Sequence, residues 1–219
     1  MLSSGPTPSP SPRPEISHSL GPFTPSHLQD AIIQRLGVLE PEDIISAYCR
    51  EVEPWLPIIS VSRLRDWLPL TWSEAPIDIA LLCISIVLLT TTPPSAPEDE
   101  NDPSEFKALY LFVKTCIAST EGLGLNSLTL IQSRILVTLF EVAHGFYPAA
   151  YISISSIIRA ADTLNDHTVG DPLLQFHDGG NREETVLIWC GILVLDRYIP
   201  AEYLPSRNIR ILYSPHVDI

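Results

Sequence analysis

Glu141-Val-Ala-His144 places a carboxylate and an imidazole about one helical turn apart, the half-motif from which carboxylate-bridged di-metal sites are built inside helical bundles. Such a site needs the motif from two helices and two further inward-facing glutamates, and only this copy falls in a helical segment. His144 directly precedes Gly145, so the imidazole is expected at a helix C-terminus, where it meets the negative end of the dipole. Gly122-Leu-Gly124 begins like a dinucleotide fingerprint, but no third glycine follows and no strand precedes it; it reads as a turn between helices. Neither a G-x-S-x-G elbow nor a phosphate-binding P-loop is present. His18, His27, His167, His177 and His216 lie in the tail or in loops, with no partner to make them catalytic. Glu183-Glu184 sits where a helix is expected to begin, and negative charge there suits the dipole. Arg159 lies inside an apolar run, and Asp196-Arg197 closes another. A cross-helix ion pair from Glu141 to Arg159 or Arg197 is the expected use of these charges. No catalytic, cofactor-binding or metal-binding residue is assigned, and no cofactor is expected.

The elements that would position these residues are helices. Ser26-His-Leu-Gln29 has the pattern of a capping box and opens a first helix that stops at Gly37. Glu42 to Glu53 follows, with Ile44, Ile45, Tyr48, Cys49 and Val52 at helical spacing, and stops before Pro54. Pro54-Trp-Leu-Pro57 is a rigid turn carrying a large aromatic. Ser62 to Leu68 predicts a short helix, and Pro76 to Thr90 a longer one, apolar on nearly every side and therefore buried. Four more helices are predicted over Ser104–Thr120, Ser127–Ala143, Ala149–Leu164 and Arg182–Arg197, with a loop through Asp166–Asn181. No run alternates apolar with polar residues over strand length. The fold class is all-α, an irregular bundle of antiparallel helix pairs. The domain spans 26–199 and is interrupted by an acidic, proline-rich loop over 91–103. A tail over 1–25, holding seven of the 21 prolines, is expected to be disordered, and 200–219 to be an irregular C-terminal tail.

Composition narrows the function classes. The 219 residues carry a formal charge of −13, only 18% are charged against about a quarter in ordinary domains, and 45% are hydrophobic. Mean hydropathy is accordingly positive, +0.18. Lys107 and Lys114 are the only lysines, and the arginines form no stripe, so a phosphate backbone or an anionic membrane surface would repel the chain. The longest apolar stretches, Ile79–Leu89 and Val186–Leu195, are about half of what spans a bilayer, and the N-terminus lacks the pattern of a signal peptide. Cys49, Cys83, Cys116 and Cys190 form no C-x-x-C pair; each lies in an apolar, helical-looking segment and is expected to behave as a small hydrophobe. An intracellular, reduced, soluble protein is the expectation.

Read in order, Leu130-Ile-Gln132-Ser-Arg-Ile-Leu136, Phe140-Glu141, Gly145-Phe-Tyr147-Pro148-Ala-Ala-Tyr151, Ile158-Arg159-Ala160-Ala161, Glu183-Glu184, Trp189 and Leu195-Asp196-Arg197 follow a familiar succession. With Tyr48, Val52 and Trp55-Leu-Pro57-Ile-Ile-Ser60 upstream, it resembles the middle homology region of fungal zinc-cluster transcription factors, the fungal-specific transcription factor domain, over about Asp30 to Tyr198. The departures are specific. The first 25 residues hold no cysteine and one arginine, where the family's zinc cluster would need six cysteines in a basic segment. Thr185-Val186-Leu187 replaces basic residues, Cys190 replaces a second tryptophan, and the chain stops 22 residues after Arg197.

The resemblance implies a nuclear transcription regulator, serving a fungal specialised-metabolite gene cluster and lacking the zinc-cluster reader. Its partner would be a zinc-cluster transcription factor or a second copy of itself, with no direct nucleic-acid contact and no membrane. The alternatives are a small-molecule-binding or accessory protein or enzyme of the same pathway, with a pocket around Glu141, Arg159 and Arg197, or a truncated remnant.

Overall fold

A computed structural model of the chain describes residues 24–92, 105–168 and 179–206. The proline-rich tail, most of the acidic loop and the segment from 207 onward fall outside them. Among the described residues the chain forms eight α-helices and no strand: α1 (Pro25–Leu36), α2 (Pro41–Glu51), α3 (Val61–Trp67), α4 (Ile77–Thr90), α5 (Glu105–Gly122), α6 (Leu128–Ala143), α7 (Tyr147–Thr168) and α8 (Gly179–Ser206). The all-α fold class is as expected.

Two helices make the centre. Nine of the fourteen positions of α4 are buried, eight of them apolar, Leu81, Leu82, Ile84 and Ile86 among them. Each such side chain withdrawn from water contributes about 1.5–3 kcal/mol. Against α4 lies α6, buried along almost its whole length from Thr129 to Val142. The first two helices cover α4 on one side, α7 and α8 cover α6 on the other, and α5 closes the gap by touching both central helices and α1. The Ser127 hydroxyl caps α6 by accepting from the Leu130 N–H at 3.2 Å, and it donates to Asp78 at 3.3 Å, tying together the starts of the two central helices.

Local detail differs from expectation at several ends. The capping-box reading of Ser26 and Gln29 does not hold: Thr24 is the N-cap, makes no side-chain cap, and Pro25 occupies the first turn. Gln29 instead donates across the fold to the Ala75 carbonyl at 2.8 Å. The last helix begins before Arg182 and continues through 200–206, part of the stretch expected to be irregular. Its buried stripe explains the length, because Ile188, Ile192 and Leu195 continue at helical spacing to Ile199, which is fully buried. Gly124 and Gly145 both adopt positive φ, 70° and 73°, one residue past where α5 and α6 unwind. In each case N–H groups bond back across five and three residues: Leu125 to Thr120 with Gly124 to Glu121, and Phe146 to Glu141 with Gly145 to Val142. This double bond pattern consumes otherwise orphaned carbonyls and requires the left-handed residue that glycine supplies without strain.

The segment after α2 has no helix to satisfy its backbone, yet Leu56, Ile58 and Ile59 are buried. Side chains supply what is missing. The Tyr48 hydroxyl accepts from the Ile59 N–H at 3.0 Å and faces the Ile59 carbonyl at 3.2 Å, and the Gln132 amide donates to the Ile58 carbonyl at 2.8 Å. Trp55, the aromatic of the rigid turn, is exposed and donates to the Glu51 carbonyl.

Candidate functional site

Helical geometry sorts the polar residues of α6. Arg134 and Glu141 are seven apart and share one face, turned to α5 and α7; Gln132 lies on the opposite face, toward the 56–59 segment. Glu141 is fully buried and fully engaged: Oε1 accepts from the Tyr110 hydroxyl at 2.9 Å and pairs with Lys114 Nζ at 2.5 Å, and Oε2 accepts from the Ser153 hydroxyl at 2.7 Å. Its counter-charge is therefore Lys114 on α5. The expected pairing with Arg159 or Arg197 does not form, because both arginines are exposed on other faces of α7 and α8. Burial first, and the neighbouring Glu141 charge second, push the Tyr110 phenol above its ordinary pKa.

His144 leaves this cluster. Its Nδ1 lies 2.8 Å from the Phe140 carbonyl, and its ring stacks on Phe140 at 4.2 Å beside Phe106. Imidazole at the end of α6, bonded to a terminal carbonyl, is the arrangement the sequence suggested. No group of three or more His, Cys, Asp or Glu side chains placed to hold a metal occurs among the described residues.

Between α5, α6 and α7 opens a cleft of about 180 Å³. Its walls are Ile117, Val137, Ile152 and Ile157, and its polar lining is Lys114, Ser153, Ser156, Glu121 and Arg134. Arg134 is 7% exposed; Glu121, which is 42% exposed, stands 3.4 Å from its Nη1 and accepts from Ser156 at 3.3 Å. Arg134 Nε is buried without a hydrogen-bond acceptor. Burial, only partly offset by Glu121, holds this guanidinium below its ordinary pKa.

A second polar cluster joins α8 to α3 and α6. Glu183 is exposed, but Glu184 is 1% exposed, so the doubled glutamate does not simply decorate a helix start as expected. The Glu184 carboxylate lies 3.6 Å from Arg63 Nη1. The Ser60 N–H and the Gln132 side chain also face it, without a well-aligned hydrogen bond to either buried oxygen. Burial outweighs these neighbours and raises its pKa. A groove of about 330 Å³ between α7 and α8 holds Asp196 and Arg197 together with Tyr151, Ile154 and Ser155; this pair faces the surface and is not the buried clasp expected.

A protein named "Transcription factor BOA15" from Botryotinia fuckeliana (strain B05.10) is 34% identical to the chain over 134 residues, which are 61% of this chain and 69% of that protein. The chain belongs to that protein's family. No family profile matches it, and no solved structure is significantly similar. The fungal transcription-factor resemblance thus stands at the level of a relative.

Sequence reasoning passed over Lys114, Arg134 and Arg63. Lys114 had a signal: it stands between Tyr110, Val113 and Ile117 on the apolar side of α5, an odd place for one of two lysines. Arg134 had the same signal as Arg159, a cation inside an apolar helix, and is the one that is buried. No helix of the described residues is long and apolar enough to cross a membrane.

Proposed function

We propose that this chain is a transcription regulator that works in the nucleus through its helical domain and is not an enzyme. The observation that carries the reading is family membership with a fungal transcription factor. The finer reading is that it serves a specialised-metabolite gene cluster. It acts by contact with a zinc-cluster transcription factor or a second copy of itself, and does not read DNA. What supports contact is the surface of α7 and α8, where Tyr151, Ile152, Leu193, Val194 and Tyr198 are each roughly half exposed or more. Apolar side chains grouped on adjoining helices mark interaction surfaces. The charge of −13 speaks against a phosphate backbone.

A tagged chain expressed in its own fungus is expected in the nucleus, and deletion of its gene is expected to change transcript levels of a co-regulated gene set. Capture from nuclear extract should recover a zinc-cluster protein or a second copy, and Leu193→Glu with Val194→Glu should abolish that capture. A chain excluded from nuclei, with transcripts unchanged on deletion, overturns the proposal.

A further inference from the structure

The cleft between α5, α6 and α7 has walls of one chemistry and a buried charge of another. Arg134 comes from the most buried helix of the fold and cannot shed its proton at any ordinary pH, so its charge is permanent. Within the cleft its opposing charge is Glu121, at 3.4 Å and 42% exposed, which water competes for strongly. Lys114, the other cation of the cleft, is already taken by Glu141 and Ser153. The result is a guanidinium only 7% exposed that lines the cleft beside isoleucine and valine side chains, with its Nε enclosed behind the lining and without an acceptor. A nearly buried cation opposed by one half-exposed carboxylate is costly, and an ionised acceptor in the cleft would form the strong, charge-assisted kind of hydrogen bond with the part of the guanidinium that lines it. Burial also depresses the Arg134 pKa despite Glu121, as expected of a cation with too little negative charge around it.

We infer that this cleft is a binding site for a small organic carboxylate, whose anionic head meets Arg134 and whose apolar body lies against Ile117, Val137 and Ile157. The size follows from the volume: about 180 Å³ exceeds the roughly 150 Å³ of an apolar cavity that holds benzene. An aromatic or branched monocarboxylate of about that bulk fits, and a nucleotide does not. Ile152, 70% exposed, and Ala118, also exposed, stand at the rim, so the site opens to solvent between α5 and α7. The inference is independent of the transcriptional reading and is tested on the isolated chain.

Benzoate is the probe, with benzamide as its neutral counterpart of equal shape. Benzoate is expected to raise the melting temperature and to shift the NMR methyl signals of Ile117, Val137 and Ile157, binding about tenfold tighter than benzamide. Arg134→Gln should erase the preference for benzoate. Ala118→Trp, a change at an exposed helical position that leaves Arg134 in place, should block both compounds by covering the mouth. Equal affinity for the two compounds, an unchanged preference in Arg134→Gln, or methyl shifts confined to other parts of the chain would each overturn the assignment, as would the absence of any shift.

Discussion

At the scale of single residues, two buried carboxylates show how neighbours decide what a charge does. Glu141 is satisfied on both oxygens by a lysine and two hydroxyls, while Glu184, equally buried, is held only loosely by Arg63 at 3.6 Å. The raised pKa of Glu184 has a consequence for stability. Between the unfolded value, ordinarily 4.5, and the higher folded value, the folded state binds more protons than the unfolded state. Stability from this group is therefore fully present below about 4.5 and is lost as pH rises through the folded value. Glu184→Gln imitates the protonated form and escapes that loss. Its melting temperature should match the wild type below about pH 4 and exceed it at neutral pH, with the gap opening across the mildly acidic range. A variant less stable than wild type at neutral pH would mean that the Arg63 attraction outweighs burial.

Among elements, the tightest constraint lies where α8 crosses the 56–59 segment. A Cβ built on Gly191 would stand 2.7 Å from Ile58 Cγ2, closer than packed carbons tolerate, with Ile135 at 3.7 Å on the other side. Glycine is used there for close approach, not for an unusual backbone angle. The Ile58 backbone is pinned by the Gln132 amide and by the neighbouring Tyr48–Ile59 pair, so it has little room to retreat. Gly191→Ala should therefore destabilise by about 1–3 kcal/mol in chemical denaturation, despite alanine's better helix propensity. Combining it with Ile58→Ala, which removes the clashing methyl, should cost less than the sum of the two single changes. A neutral or stabilised Gly191→Ala would show that α8 is free to shift outward.

For the whole molecule, the distribution of cysteines reports how completely the bundle closes. All four are free thiols. Cys83 and Cys116, on α4 and α5, are buried, and desolvation pushes their pKa up to about 12 and about 11. Cys190, by contrast, is exposed on α8, and Cys49 is half-buried. Because the thiolate is the reactive form, a maleimide added to the folded protein at pH 7 should modify Cys190 first. Cys83 and Cys116 should react only when denaturant opens the bundle. Mass spectrometry of labelled peptides along a urea titration checks this, and early labelling of Cys83 would mean that α4 is not a closed centre.

The sequence by itself determined the eight helices, because apolar spacing, prolines and glycines act over a few residues and that information is local. Pro25, Pro41 and Pro148 open helices, Gly124 and Gly145 close turns, and the all-round apolar run 77–90 could only be buried. It also carried the motifs through which the family resemblance was read, and a transcription factor is 34% identical to the chain over 134 residues. The pairings were decided by the tertiary structure. Lys114 meets Glu141 across 27 positions, Gln132 meets Ile58 across 74, and Arg63 meets Glu184 from a different helix. Which of two similar arginines is buried, Arg134 or Arg159, depends on which face of its helix the neighbours cover, and helical periodicity describes each helix alone. Only when α5 and α7 close over α6 does a lone cation in an apolar run become the floor of a cleft.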